Sequence, residues 1–167
     1  MIPSVLRNFN AFVNGVGYAG RVTEAELPEL KIKTEEHRAG GMDAPIDIDL
    51  GMEGMTAKLT FAEYTPEILG LFGKMDGNSA RIQLRGALQR DGETAKACIV
   101  DLHGGFKSAN MGSWKAGDLA TSEHEMSVRY YKLRIADEDI IEIDIDNMIR
   151  KIRGIDELAS IRDAIGM

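Results

Sequence analysis

Cysteine, proline, aromatic side chains and long apolar runs are all scarce in this chain of 167 residues. Cys98 is the one cysteine, which excludes a disulfide within the chain and is typical of a protein made in a reducing cytoplasm. The longest strongly apolar run, residues 68–73, is far shorter than the roughly 20 residues of a membrane-spanning helix. The chain does not open on a basic segment followed by an apolar stretch. Neither a membrane segment nor a secretory signal is therefore predicted.

Positive charge is also in deficit. Lys and Arg number 20 against 27 Asp and Glu, which gives a net charge of −7. This balance argues against a protein whose main task is to grip nucleic-acid phosphates. With 44% apolar and 28% charged residues, the chain is too apolar to be disordered. Its length suits one domain, which we place at residues 1–167.

Alternation of apolar and polar residues predicts that most of the chain forms β-strands. Asn14-Gly15 separates two apolar segments and Asp91-Gly92 separates two alternating ones, so each pair predicts a hairpin turn. The alternation changes phase at Tyr130-Tyr131, which indicates either a β-bulge or a strand buried on both faces. Further strands are predicted where apolar residues alternate with charged ones, at residues 30–35, 82–88 and 141–146.

Two short helices are predicted among the strands. Thr65 caps the first helix, Pro66 takes its first position and Gly73 ends it. The second helix begins near Asp156 and has apolar residues at helical spacing, namely Leu158, Ile161 and Ile165. The predicted fold class is therefore mainly β, an antiparallel β-sandwich or barrel with one or two short helices.

Residues 39–57 differ in composition from the rest of the chain, with four glycines, four acids and no base. A connection of this length in a compact domain is usually functional, so we predict an extended arm with one short strand near residues 46–50. Flexible methionines suit a surface that packs against another chain, and filling of the chain's own core is an equally good interpretation of them. The arm contains Met42, Met52 and Met55.

No motif predicts a catalytic, cofactor-binding or metal site. Gly15–Gly20 matches the dinucleotide fingerprint G-x-G-x-x-G, but Pro28 leaves little room for the helix that the fingerprint requires, and a hairpin is favoured. Asp47–Gly51 lacks the later glycine and glutamate of a calcium loop. Cys98 has no neighbouring base that would make it a nucleophile. The isolated histidines are predicted to be solvated polar residues, and they are His37, His103 and His124.

Residues 37–45 form a long string of unusual composition, which reads His-Arg-Ala-Gly-Gly-Met-Asp-Ala-Pro. Residues 51–55, which follow shortly after, read Gly-Met-Glu-Gly-Met. These segments resemble the arm of the major tail tube proteins of contractile-tailed phages, the FII type, and of R-type pyocin tubes. His37 stands where that family often has an aromatic residue. Shorter matches lie along the whole chain, at Ile2-Pro3, Trp114-Lys115-Ala116-Gly117, Tyr130-Tyr131-Lys132-Leu133 and Ile165-Gly166.

The resemblance implies a β-sandwich subunit that closes into hexameric rings with a shared inner β-barrel. Stacked rings would form the inner tube of a contractile tail, the conduit for DNA delivery, with no enzyme activity and no cofactor. The implied partners are further copies of the chain, the tail sheath, the baseplate or tube initiator, the tape-measure protein, the tail terminator and DNA in transient, non-specific passage. The implied location is the virion, after assembly in the cytoplasm of the bacterial host.

Two sets of candidate residues accompany this resemblance. The inter-subunit arm is predicted to use Arg38, Gly40, Gly41, Met42, Asp43, Pro45, Met52 and Met55. A channel that passes a polyanion quickly should avoid stripes of bases, so the candidate lumen-facing acids are Asp47, Asp49, Glu142, Asp144 and Asp146. An outer face that meets a basic sheath is an equally physical use of these acids. The alternatives to a tube protein are a cytosolic β-barrel that binds a small ligand and a hydrolase or nucleotide enzyme that uses Gly15–Gly20.

Overall fold

Twelve β-strands and two short α-helices form the chain in the computed structural model, which describes residues 1–167. The elements are β1 (Val5–Val13), β2 (Val16–Gly17), β3 (Val22–Glu26), β4 (Ile32–His37), β5 (Ile46–Met52), β6 (Met55–Phe61), α1 (Pro66–Leu69), β7 (Ala80–Gln89), β8 (Lys96–Asn110), β9 (Ser122–Ile135), β10 (Glu138–Asp144), β11 (Ile149–Ile152), β12 (Ile155–Asp156) and α2 (Ala159–Ile165). The mainly β fold class is therefore confirmed.

Ten of the strands belong to one antiparallel sheet, whose main path runs β12-β11-β10-β9-β8-β7-β1-β2. The long strand β9 carries two neighbours on the edge that faces away from β8. Its first half, Ser122–Val128, pairs with β6, and its second half pairs with β10. β3 adds to the outer side of β6, whereas β4 and β5 pair only with each other.

The sheet bends around one core made by the inner faces of β1, β6, β7, β8 and β9. Phe61, Leu102 and Met126 are fully buried there. Tyr18, in the turn after β2, packs edge-on against Phe61 with ring centroids 5.8 Å apart, so the start of the chain closes over β6. Side chains fill this interior.

The local turn predictions agree with the structure. Asn14 and Gly15 both have positive φ, at 49° and 82°, in the turn between β1 and β2. β3 follows Gly20, so the G-x-G-x-x-G string leads into a strand and not into a helix that could face a pyrophosphate. The first helix does begin at Pro66, but it ends at Gly70 and not at Gly73.

A β-bulge explains the change of phase in β9. His103 pairs with Tyr130 and Gly104 pairs with Val128, so Arg129 is the extra residue. The bulge returns Tyr131 to the core side, where it is buried. It also brings Gly104 against the backbone of β9.

The structure changes the predicted bounds of the arm. The extended segment is a β4–β5 hairpin over residues 32–52, and residues 55–57 belong to the buried strand β6. Met55 is 3% exposed and packs within the core of its own chain. Residues 55–61 alternate strictly between buried and more exposed positions, which is the period of a strand with one face in a core.

The histidine prediction is wrong for His124. This side chain is 0% exposed and lies between the rings of Phe61 and Phe106, each with its centroid 5.5 Å away. Its Nε2 lies 3.1 Å from the hydroxyl of Ser122. The reason is its place in β9, where alternate residues point into the core. His103 is half-buried and stacks on Tyr130, and His37 is exposed as predicted.

The buried His124 predicts a loss of stability in mild acid. Burial disfavours the imidazolium and lowers its pKa below the ordinary value of 6.5. The unfolded chain therefore takes up the proton first as the pH falls, so the stability from this group is complete above about pH 6.5 and declines below it. In urea unfolding of the monomer at several pH values, His124→Phe should flatten this decline. An equally steep decline in the variant would contradict the assignment.

Candidate assembly surfaces

The β4–β5 hairpin is the most exposed secondary structure of the chain, and all six residues of β4 are exposed. Along β5, Ile46, Ile48 and Leu50 are exposed on one face. Asp47 and Asp49 lie on the other face, where Asp47 directly opposes Glu36 of β4. Like charges opposed across a ladder are destabilising, and exposed isoleucines lose the benefit of burial. Both faces of the hairpin are therefore incomplete in the isolated chain.

An ion pair ties the base of the hairpin to the main sheet. The guanidinium of Arg150 on β11 donates a hydrogen bond of 2.9 Å to Asp49. A backbone hydrogen bond from Gly51 and the contact with Arg150 lower the pKa of Asp49 below its ordinary value. Met52 packs on the core beside Ile143, and a groove at this base is also lined by Leu158 and Ile161. The hairpin thus leaves the sheet from a fixed base.

The remaining residues predicted for the arm form the tip of the hairpin, between the paired residues His37 and Ile46. Gly41 has φ +87°, and the amide of Met42 donates to the carbonyl of Ala39. The tip residues are exposed except for Met42, which is half-buried; they are Arg38, Gly40, Gly41, Met42, Asp43 and Pro45. Met55, in the core, does not belong to this group.

Gly41 and Gly40 give a matched pair of variants for the tip. A side chain at φ +87° costs about 1–2 kcal/mol in a β-branched residue, whereas Gly40 has no such φ and open space around it. We expect Gly41→Val to weaken assembly more than folding, because only the exposed tip changes shape. Gly40→Val should change neither strongly. The measurement is sedimentation of assembled protein beside urea unfolding of the monomer. A folding defect in Gly41→Val with no separate assembly defect would contradict this expectation.

The acids predicted in and after β10 lie on the polar face of the sheet, opposite the core-facing Ile143. Glu142 stands between Lys132 and Lys151 in register, and it accepts a hydrogen bond of 3.3 Å from the hydroxyl of Tyr130. Burial and this carboxylate raise the pKa of Tyr130 to about 12. The expected acidic strand face is therefore a row in which acids and bases alternate.

Asp144 and Asp146 have different surroundings from Glu142. Asp144 accepts hydrogen bonds from the backbone amide and the side chain of Asn147, so it stabilises the turn that follows β10. Asp146 lies in that turn, 3.8 Å from Arg129. The five candidate acids thus fall on two separate surfaces, because Asp47 and Asp49 belong to the hairpin.

A second exposed apolar surface was missed by the sequence analysis. Trp114 is 83% exposed, and its indole N–H donates to the hydroxyl of Tyr64, which itself donates to the carbonyl of Met111. Phe72 and Met75 are also exposed in the loop that follows α1. The signal in the sequence was the single tryptophan within a loop between two strands, since Trp is enriched among the residues that dominate interfaces.

Chemical sites are not evident among these surfaces. The structure gathers no group of three His, Cys, Asp or Glu side chains that could hold a metal ion. Neither helix has the length and apolar character needed to cross a bilayer.

Known proteins with similar sequences or a similar mainly β fold are found by comparison. The chain is 30% identical over 171 residues to the tail tube protein of Escherichia phage P2, covering 99% of each chain. It is 30% identical to the major tail tube protein of Serratia phage KSP20, covering 92% of this chain and 90% of that protein. A chain in the cryo-EM structure of an extracellular contractile injection system, the PVC sheath-tube complex in its extended state, shares the fold with a TM-score of 0.60. That match covers 79% of this chain and 91% of the other at 13% identity.

The family model described as phage tail tube protein FII matches residues 3–166. This is a family of structural proteins and not of enzymes, which overturns the nucleotide-enzyme alternative based on Gly15–Gly20. The matched region includes the β4–β5 hairpin and the polar face of the sheet. It also includes the tryptophan loop, the connection between β8 and β9 that contains Trp114. The chain therefore belongs to the phage tail tube protein FII family, the structural proteins of contractile tail tubes.

Proposed function

We propose that this chain closes into hexameric rings that stack into the inner tube of a contractile tail, the conduit for DNA. The observation that carries the proposal is the β4–β5 hairpin, which stands outside the core with an unpaired edge on each strand and exposed isoleucines. A sheet edge left open in a monomer is an aggregation hazard, and pairing with a neighbouring copy removes it.

Stacking of the rings requires a second contact, a head-to-tail contact that repeats along the tube axis and so does not close. Such a contact produces a filament whose length other components must set. The partners that follow are the sheath outside, the baseplate or tube initiator at one end, the terminator at the other and the tape-measure protein within. The tube would be assembled in the host cytoplasm and remain in the virion.

Electron microscopy of the purified chain, combined with sedimentation, tests the assembly. We expect rings with six-fold symmetry and stacked tubes, and tubes should bind separately purified sheath protein. A monomer that stays compact at all concentrations, alone and with a baseplate component, would contradict the proposal.

We further propose that the polar face of β7 to β10 lines the lumen. On this face four bases are balanced by four acids, so a passing polyanion would meet no continuous stripe of positive charge. The bases are Arg81, Arg85, Lys132 and Arg134, and the acids are Asp101, Asp139, Glu142 and Asp144. His103 lies among them, and burial lowers its pKa, which favours the neutral ring.

Reversing the charge on this face should slow DNA ejection. The variant Glu142→Lys with Asp144→Lys removes two acids from this face, of which Glu142 pairs with Lys132. Each additional phosphate contact strengthens binding, so we expect ejection to slow by about twofold or more at low salt. The matched control reverses two exposed acids near or on α2, Glu157→Lys with Asp163→Lys. Ejection timing and sheath binding are measured separately in tubes of equal thermal stability. Unchanged ejection with weakened sheath binding would contradict the lumen assignment and indicate that Glu142 and Asp144 face the outside of the tube.

A further inference from the structure

The bent sheet is not closed, because no ladder joins β1 to β3. β1 is bonded to β7 on one side. On its other side its last residues alone are bonded, Phe12 and Val13 to β2 and the carbonyl of Ala11 to the amide of Tyr18. β3 is bonded to β6 and has a free outer edge. These two edges face each other across a groove. Along the groove neither edge has a paired strand.

The floor of this groove is apolar on the side of the core. It has a volume of about 120 Å³, and its lining includes Leu6, Phe9, Ala25, Leu27, Cys98 and Val100. Leu6 and Leu27 are about half exposed. An apolar slot between two unpaired strand edges is the shape that an added strand fills, through main-chain hydrogen bonds and alternate side chains.

The outer side of the same groove is polar and basic. It is lined by Asn8, Asn10 and Arg85, which lie on the polar face of β1 and β7. Arg85 donates to Gln83 and lies over the ring of Phe12, but it is in no ion pair. A strand in the groove would therefore need an apolar face toward the core and an acidic face toward Arg85.

β5 has this pattern. Ile46, Ile48 and Leu50 form its apolar face, and Asp47 lies on the acidic face without an ion-pair partner. We propose that β5 of a second copy of this chain enters the groove between β1 and β3 and completes the sheet. The isoleucines then cover Leu6 and Phe9, and Asp47 lies near Arg85.

The strand order indicates that the donor is another copy and not the same chain. The hairpin is tied through Asp49 to Arg150 on β11, and four strands separate β11 from β1 in the sheet. Donor and acceptor therefore lie on different parts of one molecule, which is the head-to-tail arrangement that generates a ring. This inference rests on the proposed function, and it identifies the groove between β1 and β3 as the site that binds the hairpin of the next copy.

Cys98, the only cysteine, lies in the groove and provides the test. One population of chains carries Ile48→Cys with Cys98→Ser, and the other keeps Cys98, so each chain has one thiol. The two are co-assembled and oxidised with copper phenanthroline, and covalent dimers are identified by peptide mass spectrometry. A disulfide needs Cα atoms within about 7 Å, so a link reports direct apposition. Burial raises the pKa of the Cys98 thiol, and oxidation is therefore run above pH 8.

The matched control is Asp47→Cys with Cys98→Ser, one residue away on the opposite face of β5. We expect covalent dimers from Ile48→Cys, and from Ile46→Cys on the same face, at about tenfold the yield of Asp47→Cys, because alternate residues of a strand point to opposite faces. Tubes or rings that show no link from position 46 or 48, or an equal link from position 47, would overturn the inference and leave the proposed function standing. A chain that forms no rings would contradict both the inference and the proposed function.

A charge exchange gives a second measurement that needs no thiol. Arg85→Glu places an acid beside the incoming Asp47 and should weaken assembly, while Asp47→Lys in the same chain should restore it. Restoration supports the apposition of these two residues. A double variant that assembles no better than Arg85→Glu alone contradicts it.

Discussion

Gly104→Ala is expected to unfold the protein or leave it barely stable. A β-carbon at this position would overlap the carbonyl oxygen of Ser127, which is a backbone atom of the neighbouring strand β9. The contact cannot be relieved by turning a side chain, and it lies at the bulge that returns Tyr131 to the core. We expect a loss of about 3–5 kcal/mol in the free energy of unfolding, a large part of what holds a domain of this size together.

Gly54→Ala is the control for Gly104→Ala. No atom lies within 4 Å of the added β-carbon there, and the φ of Gly54 is not positive. Urea unfolding of both monomers, together with the fraction of soluble protein, measures the difference. A Gly104→Ala protein as stable as the Gly54→Ala protein would show that β8 and β9 do not pack in this register.

The elements predicted correctly are those whose cause is local. Asn14-Gly15 forms the turn between β1 and β2 because both residues tolerate positive φ, whatever lies elsewhere in the chain. The bulge at Arg129 also left a local trace, the change of phase at Tyr130-Tyr131. The end of α1 at Gly70 left none, because the loop that follows bends to place Phe72 beside Phe106.

The predictions that failed depend on partners distant in sequence. His124 is polar, but its place in β9 sets its side chain between Phe61 and Phe106, and Ser122 supplies a polar partner for one ring nitrogen. Met55 shares its composition with the arm, yet pairing with Val128 makes it part of the core. Composition alone therefore set the end of the arm too late.

The candidate assembly surfaces also divide into features with a local cause and features that depend on residues distant in sequence. The apolar and acidic faces of β5 can be predicted from alternation alone, since the period of a strand is two. The surroundings of Glu142 cannot be, because Lys132 and Lys151 become its neighbours only through the register of β9 and β11 with β10. An acidic face in the sequence is therefore a charge-balanced face in the folded sheet.

Removing the outer part of the β4–β5 hairpin should abolish assembly and leave the fold intact. The variant deletes residues 35–48 and joins Thr34 to Asp49 through an Asn-Gly turn, which suits a two-residue hairpin. Thr34 and Asp49 are paired in register, so the base of the hairpin and the contact with Arg150 are retained. No residue of the core is lost, and we expect the free energy of unfolding to change by less than about 1 kcal/mol.

Assembly should respond differently, because the deleted segment holds Ile46, Ile48 and most of the free strand edges of the hairpin. Burial of these two isoleucines across an interface contributes about 3 kcal/mol, and the loss of that amount weakens association more than 100-fold, repeated at every contact of a ring. The measurement is sedimentation and electron microscopy at the concentration where the unmodified chain forms tubes. Ile155→Ala, which removes an isoleucine that is 67% exposed outside the hairpin, is the control and should still assemble. Rings formed by the truncated chain would place the assembly contacts on other surfaces, with the tryptophan loop as the next candidate.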